Sequence, residues 1–200
     1  MSENLVRAGG GLAALIGGVL GVIASIMVLV FVLPLALNPP PSGIPFSVII
    51  TNSLLILAWV LVLGGLVGLY VSQQESVGTL GLVSFVLALV GTVLLVGVLC
   101  VQTFYLPVAG ISSIRIVVSV VALVTMLIVT VGWFLFGLAT FRARIYPRPA
   151  AILLMVGAAF ALLIHFAAGE FIFLFAATAW LGFSLFRGKI SSVGEPASPS

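Results

Sequence analysis

Two hundred residues that are 63% hydrophobic and 6% charged cannot fold as a water-soluble globule, because a soluble domain carries about 25% charged residues. The surplus Ile, Val, Leu and Phe would have to face water, a cost that lipid removes. A net charge of +3 and a pI near 9.6 do not indicate nucleic acid: apart from Arg115, the basic residues flank apolar runs, where they orient helices and meet anionic lipid.

Cys100 is the single cysteine, which excludes an intrachain disulfide, a Cys-x-x-Cys pair and a multi-cysteine metal site. A barrel strand would alternate in polarity over about ten residues, whereas these apolar runs are continuous and much longer. The expected class is all-α, a polytopic transmembrane helix bundle.

The polar start, Met1 to Arg7, leads into an apolar run from Ala8 to Leu37. That is too long for the roughly 7–15-residue core of a signal peptide, so it reads as a retained first span. Pro34 bends or stops it, and Asn38-Pro-Pro-Pro-Ser-Gly-Ile-Pro45 is a loop. A second helix is expected over 46–72, closed by the polar turn Ser72-Gln-Gln-Glu-Ser76. A third, over 77–105, stops at Leu106-Pro107, and Ser112 and Ser113 cap a fourth over 112–141. The basic loop Phe141-Arg-Ala-Arg-Ile-Tyr-Pro-Arg-Pro149 follows.

Helices five and six are expected over 149–166 and 170–186, close to the lower limit of about 17 residues for a span. A re-entrant hairpin is the alternative there. The chain is thus read as one six-span domain, 1–187, followed by a Ser- and Pro-rich tail, 188–200, expected to be disordered. Arg7, Arg142, Arg144, Arg148, Arg187 and Lys189 fall on one side of this threading and only Arg115 on the other. That bias makes both termini cytoplasmic.

Small residues mark helix contacts in lipid. Gly9, Ala13, Gly17, Gly21 and Ser25 form a ladder in helix one, and Gly64 and Gly68 a shorter one in helix two. They point to contacts within the bundle, with dimerisation as the alternative. Trp59, Trp133 and Trp180 read as packing residues, and Tyr146 as an interfacial one. Leu15-Ile-Gly17-Gly-Val-Leu20, Leu89-Val-Gly91-Thr-Val-Leu94 and Met155-Val-Gly157-Ala-Ala-Phe160 echo one another in helices one, three and five. Three tandem hairpins would account for this, as would chance in a Gly-, Leu- and Val-rich chain.

Polar residues within the spans collect in the outer leaflet: Asn52, Gln102, Arg115, His165 and Glu170. Gln102 shares a helical face with Ser84, Ala88 and Gly91, Arg115 with Ser112, Ser119 and Ala122, and His165 with Ala158, Ala161 and Ala168. Each should therefore turn inward, with Arg115 pairing Glu170. One histidine cannot hold haem between two helices, and His165 with Glu170 supplies too few ligands for a metal. No cofactor, no metal and no catalytic residue are expected.

The leading expectation is a non-catalytic bundle that packs with itself, a membrane partner or lipid, including anionic headgroups at the cytoplasmic face. The alternative is a small-solute or ion transporter with an outward-facing polar pocket. The stretch Gly65-Leu-Val-Gly-Leu-Tyr70, the polar turn and Gly78-Thr-Leu-Gly81 resemble the second hairpin of small, uncharacterised six-helix membrane proteins of bacteria and archaea. The resemblance implies a prokaryotic plasma-membrane protein and carries no activity with it.

Overall fold

A computed structural model describes residues 3–32, 34–35, 45–105, 112–163 and 171–187. Every regular element among them is helical. Helix α1 (Glu3–Met27) continues into a π-helical turn, Val28–Val32, and α2 (Phe46–Cys100) into a second, Val101–Tyr105. Helices α3 (Ser112–Ala143), α4 (Arg148–Leu163) and α5 (Ile172–Phe186) follow. Three helical stretches, Val6–Val32, Phe46–Tyr105 and Ile116–Ala143, are long and apolar enough to cross a membrane. Helices α4 and α5 are shorter and equally apolar. Most of the expected loop at 38–45, the stop at 106–110 and the tail at 188–200 lie outside the described residues.

Helix α2 with its π turn runs for 60 residues, which at about 1.5 Å per residue would make a straight rod of about 90 Å. It is not straight. Gly78 sits at φ 55°, ψ −152°, a region that only glycine occupies without strain. The rings of Tyr70 and Phe85 stack across it, 4.3 Å apart, where a straight helix would hold them about 22 Å apart. Further along, Trp133 packs against Trp59 on the first limb (46–77) and donates Nε1–H to Thr92 Oγ1 on the second (79–100). The limbs are therefore antiparallel neighbours. The reversal was expected at Ser72–Ser76, but those residues stay helical. Ser, Gln and Glu are compatible with a helix, whereas the reversal needs the positive φ of Gly78.

One contact recurs in two pairs of neighbouring helices. A Cβ on Gly65 would lie 2.6 Å from Ala14 Cα, and one on Gly17 2.9 Å from Val62 N. On the second limb and α3, Gly132 approaches Ala88 N at 2.5 Å and Gly91 approaches Val129 N at 2.9 Å by the same measure. The spacing is identical: Ala14/Gly17 against Val62/Gly65, and Ala88/Gly91 against Val129/Gly132. In α4, a Cβ on Gly157 would lie 2.6 Å from Leu174 N of α5. Close backbone approach of this kind is what holds helices together where lipid removes the hydrophobic drive.

The ladder of α1 is shifted from expectation. Gly17 and Gly21 are buried, but a Cβ on Gly9 meets nothing within 4 Å, and Gly10 and Ala14 make the contacts expected of Gly9 and Ala13. In α2, Gly64 is exposed and a Cβ on it would meet only Ala13, while Gly65 and Gly68 are buried. Two neighbours demand two small faces on α1: Gly10, Ala14 and Gly17 pack on α2, and Gly11, Gly18 and Gly21 pack on α5. At the centre, Trp59, Trp133 and Phe175 are fully buried, with Trp59 4.7 Å from Phe175 and 5.1 Å from Phe171. Trp180, by contrast, is 44% exposed.

Candidate functional site: a buried polar cluster at the basic end

Antiparallel packing brings distant polar residues to one end of the bundle. Gly10 meets Gly68, and Gly11 meets Phe186, so Arg7, the end of the first limb of α2 and Arg187 share a level. The α3–α4 loop joins them there. Ser72 Oγ and Tyr146 Oη are 2.5 Å apart, and Gln73 Nε2 donates to Thr140 Oγ1 at 3.1 Å. Gln73 is 1% exposed and Tyr146 5%. Five of the six residues expected on the cytoplasmic side, Arg7, Arg142, Arg144, Arg148 and Arg187, thus belong to this end; Lys189 lies outside the described residues.

Local geometry explains the loop. Arg144 ends α3 at φ 58°, a left-handed conformation that a non-glycine residue adopts at some cost. The chain then turns inward at Ile145, which packs on the core, and Tyr146, and α4 begins just beyond Pro147. Burial pushes the Tyr146 phenol from its ordinary 10.0 up to about 12, opposed by the Ser72 hydrogen bond and by the nearby Arg7 charge. Tyr146, expected at the interface, is buried against the bundle. Arg142, Arg144 and Arg148 remain exposed and form no ion pair among the described residues.

Of the expected outer-leaflet cluster, only Asn52 and Gln102 have side chains among the described residues. Asn52 is half-buried. Gln102 is exposed and Thr103 takes the inward position, on the face of Ser84, Ala88, Gly91, Leu95 and Val98. The π turn inserts one residue into the helical repeat and so rotates the face by one position. Both π turns centre four residues before a proline: Val30 before Pro34, and Thr103 before Pro107. A proline ring collides with the carbonyl four residues earlier and cannot donate to it, and a widened turn relieves both problems. Arg115 lies in the first turn of α3, with its side chain outside the described residues, as are His165 and Glu170. On Arg115's expected face, Ser119 is exposed and Ala122 half-buried.

The buried polar groups missed from the sequence were Thr and Trp side chains that look like packing. Thr92 bonds its own helix at Ala88 O (2.7 Å) and accepts from Trp133. Trp59 Nε1, Gln73 Oε1, Thr103 Oγ1 and Thr130 Oγ1 are buried with no hydrogen-bond partner. Hydroxyl, amide and indole groups can orient a ligand or tie helices, and they do not titrate near neutral pH. Among the described residues no three His, Cys, Asp or Glu side chains come together. No protein-family model, curated protein or solved structure matches the chain.

Proposed function

We propose that the chain is a six-span plasma-membrane protein of a prokaryote, with both termini cytoplasmic, that works as a non-catalytic packing component. It consists of three helical hairpins: α1 with the first limb of α2, the second limb with α3, and α4 with α5. The carrying observation is the collection of Arg7, Arg142, Arg144, Arg148 and Arg187 at one end, the pattern that retains a loop in the cytoplasm. The repeated Ala/Gly contact in the first two hairpins, with Gly157 in the third, supports the hairpin reading. Among the described residues, the fully buried polar side chains are Ser, Thr and Gln, which suits helix association.

Sidedness labelling tests this reading in a Cys100→Ala background. Single cysteines at Ser76 and Arg144 are expected to react only from the cytoplasmic side, and cysteines at Ser42, Ala109 and Ala168 only from outside. Ser76 and Ala109 reacting from the same side would overturn it.

The outward-pocket transporter is the second reading, and the unpartnered hydroxyl of Thr103 at the outer end of α2 favours it. It requires Arg115 and Glu170 to meet. Stability of Arg115→Ala, Glu170→Ala and the double variant would then show a coupling of about 1 kcal/mol or more; additive effects would remove the pocket.

A further inference from the structure

We propose that the α3–α4 loop is a fixed site for the phosphate of an anionic phospholipid headgroup, positioned by Tyr146. The proposal rests on the reading that this end meets a bilayer surface. Within seven residues the loop alternates direction: Ile145 and Tyr146 turn into the bundle, while Arg142, Arg144 and Arg148 are exposed. Three guanidinium groups without carboxylate partners among the described residues offer bidentate donors suited to a phosphate. Glu75 is also exposed at this end and forms no ion pair with them among the described residues.

What separates this loop from a diffuse basic stretch is how it is pinned. The Ser72–Tyr146 hydrogen bond ties its middle to α2, the Arg7 charge lies near the same hydroxyl, and Pro147 and Pro149 hold the exit with fixed φ. The start of α4 contributes little of its own. Pro149 has no N–H, and the Ala150 and Ala151 N–H groups already donate to Pro147 O. Anion binding therefore falls to the arginine side chains, and their mutual placement falls to Tyr146. A pre-organised site loses less freedom when the headgroup binds. Tyr146 is a positioning residue, acting through the backbone that carries the arginines.

The test uses the full chain in neutral detergent micelles, titrated with phosphatidylglycerol, phosphatidylcholine or inorganic phosphate, with dissociation constants and thermal midpoints recorded. Phosphatidylglycerol is expected to bind saturably and to raise the midpoint. Each of Arg142→Gln, Arg144→Gln and Arg148→Gln should weaken it about fivefold, while Arg115→Gln, which removes the same charge at the other end, should leave it unchanged. Tyr146→Phe should weaken phosphatidylglycerol several-fold without changing the salt dependence of binding, because no charge is lost.

Equal loss for Arg115→Gln and Arg144→Gln would overturn the site in favour of diffuse charge. Wild-type affinity in Tyr146→Phe would overturn the positioning role. Saturation by inorganic phosphate at the same concentration as lipid would make this an ion site and overturn the lipid assignment. The micelle assay does not depend on which face of a membrane the loop occupies, so its failure is distinct from failure of the labelling experiment.

Discussion

Tyr70 lies flat on Phe85, with ring centroids 4.3 Å apart and planes within 15°, although the chain between them is helical on both sides of a single glycine. That stack shows the longest helix to be two antiparallel limbs, and the rest of the bundle follows from it. It sets Trp59 and Thr92 on either side of Trp133 and brings Ser72 and Gln73 to the α3–α4 loop.

Gly78 should tolerate no side chain. A Cβ there would meet nothing within 4 Å, so the penalty for Gly78→Ala comes from the backbone alone, at φ 55° and ψ −152°. It is expected to cost about 1–3 kcal/mol. Gly97→Ala is the control, since it is helical with open space around it, and should be neutral or gain up to about 1 kcal/mol. Thermal unfolding of both variants in detergent checks the pair.

The recurrent close contacts should be similarly discriminating. A Cβ on Gly132 would lie 2.5 Å from Ala88 N and 2.7 Å from Ala88 Cα, so the helices themselves must separate. Gly132→Ala is expected to cost about 1–3 kcal/mol, whereas Gly9→Ala, with nothing within 4 Å, should cost nothing. Equal effects at both positions in the same unfolding assay would contradict the assigned faces.

How much of this could be read in advance depends on what each residue signals. Membrane class and approximate helix positions follow from long apolar runs, which survive small errors of phase. Faces do not. Gln102 and Thr103 exchange places because a π turn adds one residue, and a count by 3.6 cannot register it. The cause was nevertheless visible in Pro34 and Pro107. The polar run Ser72–Ser76 looked like a turn by composition, yet conformation rather than polarity decides reversal, and Gly78 was the residue able to reverse. The burial of Tyr146 was not legible, because an amphipathic ring beside arginines suits an interface and nothing local announced the Ser72 partner 74 positions earlier.

The two central indoles differ in a way that can be measured. Trp133 Nε1 donates to Thr92 Oγ1 at 3.0 Å, and Trp59 Nε1 is buried without an acceptor. Replacement by Phe removes the same atoms from each, so the difference isolates the N–H. Trp133→Phe is expected to be the more destabilising by about 1–2 kcal/mol, as judged by denaturant midpoints in mixed micelles.

Tyr146 should make the fold alkali-sensitive. Its pKa is raised from 10.0 to about 12, so the folded state holds the phenol proton more tightly than the unfolded state. The linked stability is complete below pH 10 and is lost as pH rises through about 12. A rise of that size corresponds to roughly 3 kcal/mol. Between pH 9 and pH 12 the wild type should lose more stability than Tyr146→Phe, which has no proton to lose there. Parallel pH profiles would show that the phenol is not buried in the folded protein.

The reversal at Gly78 is the central claim, and a distance between spin labels tests it. Ile50 and Tyr105 are 42% and 53% exposed and lie near the far ends of the two limbs of α2. Cysteines at these positions in a Cys100→Ala background accept labels without entering the core. Neighbouring antiparallel limbs place the helix axes about 8–10 Å apart, so a label separation of roughly 10–25 Å is expected. A continuous helix would separate the same residues by about 80 Å, and a distribution beyond the short range would contradict the hairpin and everything built on it.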